Sequence, residues 1–258
     1  MTLFDALLIG VGAFVAGAVN SVAGGGTFFS FPALLAVGVP PVVANASNSV
    51  SLWPGSLSGA WAYKRELAPL ARYLVPMGIA SLVGGVAGGL LLLQTQDGQF
   101  ARLIPWLLGF ATLLFAFSPQ LSALLARWRT RRRSAHEGGS PAGWLTQLLV
   151  SVYGGFFGAG MGILMMASLA ISGHDDVQEI NAIKNLLSAV IYSVTVVTFI
   201  VAGAVSWPHT LLMIATATVG GYWGASMARK VPAQWLRRLV IAVGVFLTAY
   251  YFHRVAAA

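Results

Sequence analysis

The chain has 258 residues, of which 57% are hydrophobic and 9% charged, and its mean hydropathy is +0.79, whereas a soluble domain carries about 25% Asp, Glu, Lys and Arg. Too little polar surface exists to cover a soluble globule, so a soluble enzyme is excluded and the chain reads as an all-α polytopic membrane protein. The formal charge of +8 owes much to Arg127, Arg129, Arg131, Arg132 and Arg133, which join two hydrophobic blocks and read as a cytoplasmic anchoring loop, not a nucleic-acid patch.

Apolar segments run from Leu3 to Val22, Thr27 to Val37, Val42 to Tyr63, Tyr73 to Leu93 and Phe100 to Phe117. After the basic linker come Trp144 to Phe157, Met161 to Ser172, Val177 to Val201, Trp207 to Ala228 and Trp235 to Phe252. The expected organisation is a first membrane repeat over 1–118, a basic cytoplasmic linker over 119–143 and a second membrane repeat over 144–258. The N-terminus has neither a basic n-region nor a cleavage site, so no removable signal peptide is expected. With no cysteine, disulfides, thiolate metal sites and thiol redox chemistry are absent.

One gapless offset of 136 residues superposes Asn45 on Asn181, Gly84 and Gly85 on Gly220 and Gly221, Gly88 on Gly224, and Arg102-Leu103 on Arg238-Leu239. This is the pattern of an internal duplication. Lys64, Arg65 and Arg72 flank a first-half loop whose counterpart near Val201–Trp207 is uncharged, while the loop at Gln94–Gln99 has a counterpart containing Arg229, Lys230, Arg237 and Arg238. Because Lys and Arg favour the cytoplasmic side, this swap predicts inverted repeats; the alternative, each broken pair as one kinked span, gives four crossings per half and a parallel repeat and leaves the swap unexplained. Inversion requires an odd number of crossings per half, which is met by a glycine-broken helical hairpin followed by three transmembrane helices. The segment from Thr27 to Val37 supports a hairpin, since at about 1.5 Å per residue it spans only about half of a hydrocarbon core of about 30 Å.

The first break reads Asn20, Ser21, Val22, Ala23, Gly24, Gly25, Gly26, Thr27, and the second Gly158, Ala159, Gly160, Met161, Gly162. Unwound backbone at membrane depth must be buried in protein or line a wet cavity, and helices starting at Thr27 or Ile163 would aim free N–H groups into it, an arrangement suited to anions. The bland alternative is close helix packing through small residues. The following segments carry Asn45, Ser47, Asn48 and Ser49 in one half and Asn181, Lys184, Asn185 and Ser188 in the other, at spacings that share helix faces. Lys184 is the cation set inside a hydrophobic segment, with no deep carboxylate to pair it, so an anion is its natural partner; snorkelling to the headgroups is the alternative. His174, Asp175 and Asp176 read as a solvated turn capping the next helix. His209 reads as interfacial, Trp53, Trp61, Trp106, Trp207 and Trp235 as interface anchors or packing residues, and Pro54, Pro76 and Pro105 as kinks.

The stretch Ala23 to Gly26, then Phe31, Pro32, Ala33, Leu34, Leu35, Gly38, Val39, Pro40 and Pro41, then Ala44 to Ser49, resembles the TauE/SafE sulfite exporter family of bacterial permeases, and so does Asn181 to Leu187. The resemblance spans the chain and implies movement of sulfite, sulfonates or related small organic anions across the inner membrane. It also implies four plus four spans, at variance with the hairpin count, and Ser49 stands where some relatives have a second lysine. The expected function is a secondary transporter, an exporter of a small oxyanion or organosulfur anion working by alternating access around a central site. The candidate substrate site comprises Asn20, Ser21, Gly24, Gly25, Gly26, Thr27, Asn45, Ser47, Asn48, Ser49, Gly158, Gly160, Gly162, Asn181, Lys184 and Asn185. A channel-like anion pore and an uptake permease for another small organic acid are the alternatives. An embedded enzyme is disfavoured, since no His, Asp or Glu lies deep in a span. Expected partners are the small anion and the lipid bilayer, with no cofactor, metal or nucleic acid; a homo-oligomer is compatible with this reading.

Overall fold

The computed structural model describes residues 1–22, 25–67, 70–131, 141–171, 176–227 and 233–256, and every regular element among them is helical. In chain order these are α1 (Leu3–Val22), α2 (Thr27–Ala36), α3 (Pro41–Ala62), α4 (Lys64–Leu67), α5 (Ala71–Gln94), α6 (Asp97–Arg131), α7 (Pro141–Phe156), α8 (Met161–Ile171), α9 (Val177–Val201), α10 (Trp207–Met227) and α11 (Ala233–Ala256). The helices coincide closely with the apolar segments, because in a bilayer only intrahelical hydrogen bonds satisfy the backbone of an isolated span. Two boundaries differ. α6 continues to Arg131, into the stretch read as linker, since Leu, Ala and Arg are strong helix formers. α8 starts at Met161, two residues before the expected Ile163. Gly24, residues 132–140, His174 with Asp175, and Arg229 with Lys230 lie outside the described residues. Asp176 caps α9 as expected, its carboxylate accepting from the Gln178 N–H at 2.8 Å.

Among the described residues, five helices are long and apolar enough to cross a membrane: those containing Leu3–Ser21, Tyr73–Gln94, Asp97–Gln120, Gln178–Val201 and Gln234–Ala256. α3 is long enough at 22 residues but carries a buried polar run from Asn45 to Ser51. Leu3, Phe4, Leu7 and Val11 of α1, Val75, Ile79 and Val83 of α5, and Val245 and Phe246 of α11 are exposed, the outward apolar faces that lipid requires.

Side-chain contacts set the helix directions. α2 folds back along α1, with Gly12 against Phe29 and Ala33 and Gly26 against Ala16. α8 folds back along α7, with Gly154 against Met161 and Thr146 bonded to Ser168 at 2.9 Å. Both glycine-broken hairpins are therefore present. α3 and α9 run antiparallel, joined by Trp53 Nε1 donating to Ser193 Oγ at 2.8 Å and by Gly59 against Asn185. α6 and α11 are also antiparallel, with Trp106 on Phe252 and Gly109 on Thr248. α5 runs parallel to α9, Gly85 meeting Ile191 and Gly89 meeting Thr195. α3 and α10 start at the same end, where Ser206 N–H donates to Ser47 Oγ at 2.9 Å, and the Val42 N–H donates to Asp97 Oδ1 at 2.9 Å there, which ties in the start of α6.

Each hairpin packs onto a helix of the other half. Gly220 and Gly224 of α10 lie on the backbone at Phe14 and Ala18 of α1, while Gly84 and Gly88 of α5 lie on the backbone at Leu148 and Val152 of α7. At all four crossings a Cβ would strike a neighbouring backbone atom, so these glycines do what small residues do between membrane helices: they let backbones meet. The core between the hairpins is aromatic. Phe28 packs edge-on to Phe115, and Phe31 to both Phe100 and Phe157.

Candidate substrate-binding site

The polar face of α3 is sealed inside the bundle, Asn45 being 0% and Asn48 2% exposed. Such groups stay buried only when hydrogen-bonded. Asn45 Nδ2 donates to the Phe156 carbonyl, at the last residue of α7, at 2.8 Å. Ser49 Oγ donates to the Asn45 carbonyl at 3.0 Å, and Ser47 accepts from Ser206 as described. Asn48 faces the start of α2: its Oδ1 accepts from Ser30 Oγ and its Nδ2 approaches Thr27 Oγ1 at 3.5 Å.

The second cluster lies on α9, where Lys184 is the eighth residue. Its Nζ donates to Asn181 Oδ1 at 3.3 Å, one turn earlier as the spacing requires. The Lys184 stem runs past Gly162, the second residue of α8, and Asn185 lies against Gly59 of α3. Asn181, Lys184 and Asn185 are all half-buried. Two positive features therefore converge, an ammonium and the positive dipole end of α8, where the N–H groups of Met161, Ile163 and Leu164 already donate to the Gly158 and Gly160 carbonyls. Asn48 stands to the start of α2 as Lys184 stands to the start of α8, the two lying 136 residues apart in the chain.

The breaks need left-handed backbone, which glycine alone adopts without strain: φ is +92° at Gly25, +80° at Gly158 and +76° at Gly160. Gly25 is tucked under Phe115 and Val240, and Gly160 lies against Ala111 and Leu114. Both breaks thus border one turn of α6, with apolar side chains packed beside them. Asn20 and Ser21, by contrast, are exposed at the end of α1, and Ser21 Oγ turns back to the Ala18 carbonyl at 2.8 Å. The fold therefore groups Thr27 with Asn48, and Gly162 with Asn181 and Lys184; Asn20 lies against Gly26, next to Thr27, and Ser21 lies beside Gly224 of α10. Trp53, read as an anchor or packing residue, is a half-buried strut between α3 and α9, whereas Trp61, Trp106, Trp207 and Trp235 are exposed. His209 is partly buried, with Nδ1 2.6 Å from Ser206 Oγ.

Three participants escaped the sequence reading. Ser30 holds Asn48. Tyr153 Oη donates to the Ala159 carbonyl at 2.6 Å, clamping the second break, and the Tyr192 hydroxyl stands close to Gly158. A tyrosine within an apolar helix carries no sequence signal of such a role. Among the described residues no group of His, Asp or Glu could hold a transition metal.

The profile of the sulfite exporter TauE/SafE family matches residues 9–251. The chain belongs to the TauE/SafE family. A probable membrane transporter protein of Haemophilus influenzae is 28% identical over 251 residues, 95% of this chain and 92% of the relative. The probable membrane transporter protein YfcA of Escherichia coli K12 is 27% identical over 94% of this chain and 89% of its own length. A third, ORF9 of a Sinorhizobium species, is 27% identical over 92% of this chain and 88% of its own length. No solved structure matches the chain. This TauE/SafE member is a multi-pass membrane transporter, not an enzyme.

Proposed function

We propose that the protein is a secondary carrier that exports a small oxyanion or organosulfur anion, such as sulfite or a sulfonate, across the bacterial inner membrane by alternating access. The observation that carries this reading is the convergence of Lys184, its amide neighbours Asn181 and Asn185, and the start of α8 at Gly162. An ammonium in a membrane span costs several kcal/mol unless neutralised or hydrated, and an anion held there satisfies lysine and helix end together. An inside-negative potential drives anion exit by about 2.3 kcal/mol per charge per 100 mV, so export needs no deep carboxylate to relay protons.

The carrier is read as two inverted repeats. This is supported by the opposed directions of α3 and α9, of α6 and α11, and of α5 and α10, which are equivalent pairs at one offset. It is supported also by the matched glycine crossings of α1 on α10 and α7 on α5. Lys64, Arg65, Arg237 and Arg238 lie at the bundle end where α5 and α11 start, against Arg102 and Arg254 at the other, which makes the first end cytoplasmic.

The test is a thermal-shift screen of the purified protein against sulfite, sulfate, methanesulfonate and acetate, followed by counterflow in proteoliposomes. Stabilisation by sulfite or the sulfonate and saturable counterflow are expected. Absence of any anion-dependent shift overturns the substrate class, and flux without counterflow identifies a pore.

A further inference from the structure

The two equivalent asparagines, Asn45 and Asn181, are used differently. Asn181 Oδ1 accepts from the Lys184 ammonium. Asn45 Oδ1 is buried and has no hydrogen-bond partner, although the same amide donates through Nδ2 to the Phe156 carbonyl. That bond places Oδ1 beside the C-terminus of α7, the negative end of the helix dipole. In this turn the Tyr153 carbonyl accepts from the N–H groups of Phe157 and Gly158, and the Gly158 and Gly160 carbonyls accept from α8. The Ala159 carbonyl is held by Tyr153. The position equivalent to Lys184 is Asn48, whose amide is engaged by Ser30 and Thr27 and sends no donor to Asn45.

We propose that Asn45 Oδ1 is a ligand of a sodium ion held at the C-terminus of α7, with carbonyls of the α7–α8 break completing its shell. The first repeat then binds a mobile cation where the second carries a covalently attached one. A buried acceptor must find a donor or a cation, and a helix C-terminus selects the positive charge. Neutral amide and carbonyl oxygens suit a monovalent ion better than calcium or magnesium, which draw on carboxylates; the carboxylate of Asp97 is engaged by the Val42 N–H, one turn before Asn45. Unwound carbonyls and helix C-termini are the elements that coordinate sodium in broken-helix carriers. A sodium ion here would also bring a second positive charge to the membrane interior that takes the anion, giving the transporter a coupling ion. The inference uses the equivalence of the repeats but does not depend on the anion site at Lys184.

The experiment measures the thermal midpoint of the purified protein as sodium chloride replaces choline chloride at constant ionic strength. A rise of about 3–5 °C is expected as sodium goes from a tenth of its Kd to ten times its Kd, if the ion binds the folded state alone. Asn45→Ala removes the rise. Asn48→Lys, which sets an ammonium where it can reach Asn45 Oδ1 as Lys184 reaches Asn181, removes it too while raising the midpoint in choline. Lys184→Ala keeps the sodium response and loses the anion response, so failure of one reading is distinguishable from failure of the other. A wild-type midpoint insensitive to sodium, or a rise that persists in Asn45→Ala, overturns the proposal and leaves water as the partner of Oδ1. Should Asn45→Ala not fold, a sodium response retained in Asn48→Lys overturns it equally.

Discussion

In the proposed carrier Lys184 holds the anion, and its hydrogen bond to Asn181 at 3.3 Å leaves two ammonium protons for it. Replacing it by alanine removes a charge-assisted contact from a site sheltered from bulk water, worth a few kcal/mol. Equilibrium binding of the preferred anion to Lys184→Ala should therefore weaken on the order of a hundredfold, with the thermal midpoint in anion-free buffer near wild type. Lys184→Arg should keep part of the affinity, since the charge persists while the donor geometry changes. A headgroup-facing lysine predicts instead that Lys184→Ala binds normally, and that result would remove it from the site. At the same scale, Ser193→Ala deprives the Trp53 indole of its acceptor. An orphaned partly buried donor costs about 1–3 kcal/mol, so a lowered midpoint is expected, and an unchanged one would mean that water replaces the hydroxyl. The lysine and the asparagines were legible in the sequence, because intramembrane polar residues stand out against an apolar background. Tyr153 and Tyr192 were not, since a tyrosine in an apolar helix is equally at home against lipid, at an interface or in the core.

The helices divide into those that cross and those that return, and glycine determines how closely they meet. A Cβ on Gly220 would enter the α1 backbone at Phe14, whereas one on Gly78 would meet nothing within 4 Å. Gly220→Ala should thus force α1 and α10 apart at an overpacking cost of about 1–3 kcal/mol. Gly78→Ala should be neutral or stabilising by about 0.5–1 kcal/mol, the gain in helix propensity. Midpoints of the two variants in detergent check this, and equal destabilisation of both would mean that helix propensity, not the crossing, governs them. The short returning helices α2, with 10 residues, and α8, with 11, were recognisable by length alone. That α6 runs on to Arg131 was not, because charge suggested a loop where helix propensity continued the helix.

For the whole molecule, the proposed inverted arrangement expects Thr2 and Val255 on the periplasmic side and Glu66 on the cytoplasmic side. In this cysteine-free chain, single cysteines at the three positions should react with a membrane-impermeant maleimide from the periplasm at 2 and 255 and from the cytoplasm at 66. Labelling of positions 2 and 66 from the same side would overturn the inverted arrangement. The sequence by itself determined the membrane class, the apolar segments, the glycine breaks, the intramembrane lysine and the swap of basic loops. Each of these depends on local composition and on the length of chain needed to cross a bilayer. It could not determine which helices touch. The Asn45 amide reaches a carbonyl 111 residues away, α1 packs on α10 and α7 on α5 across the two halves, and Ser21 of the first polar run stands beside Gly224 of α10. In water a helix reveals its buried face by its apolar stripe. In lipid both faces are apolar, so the rotation of each helix about its axis, and with it the membership of the site, was decided only by the packing of one helix on another.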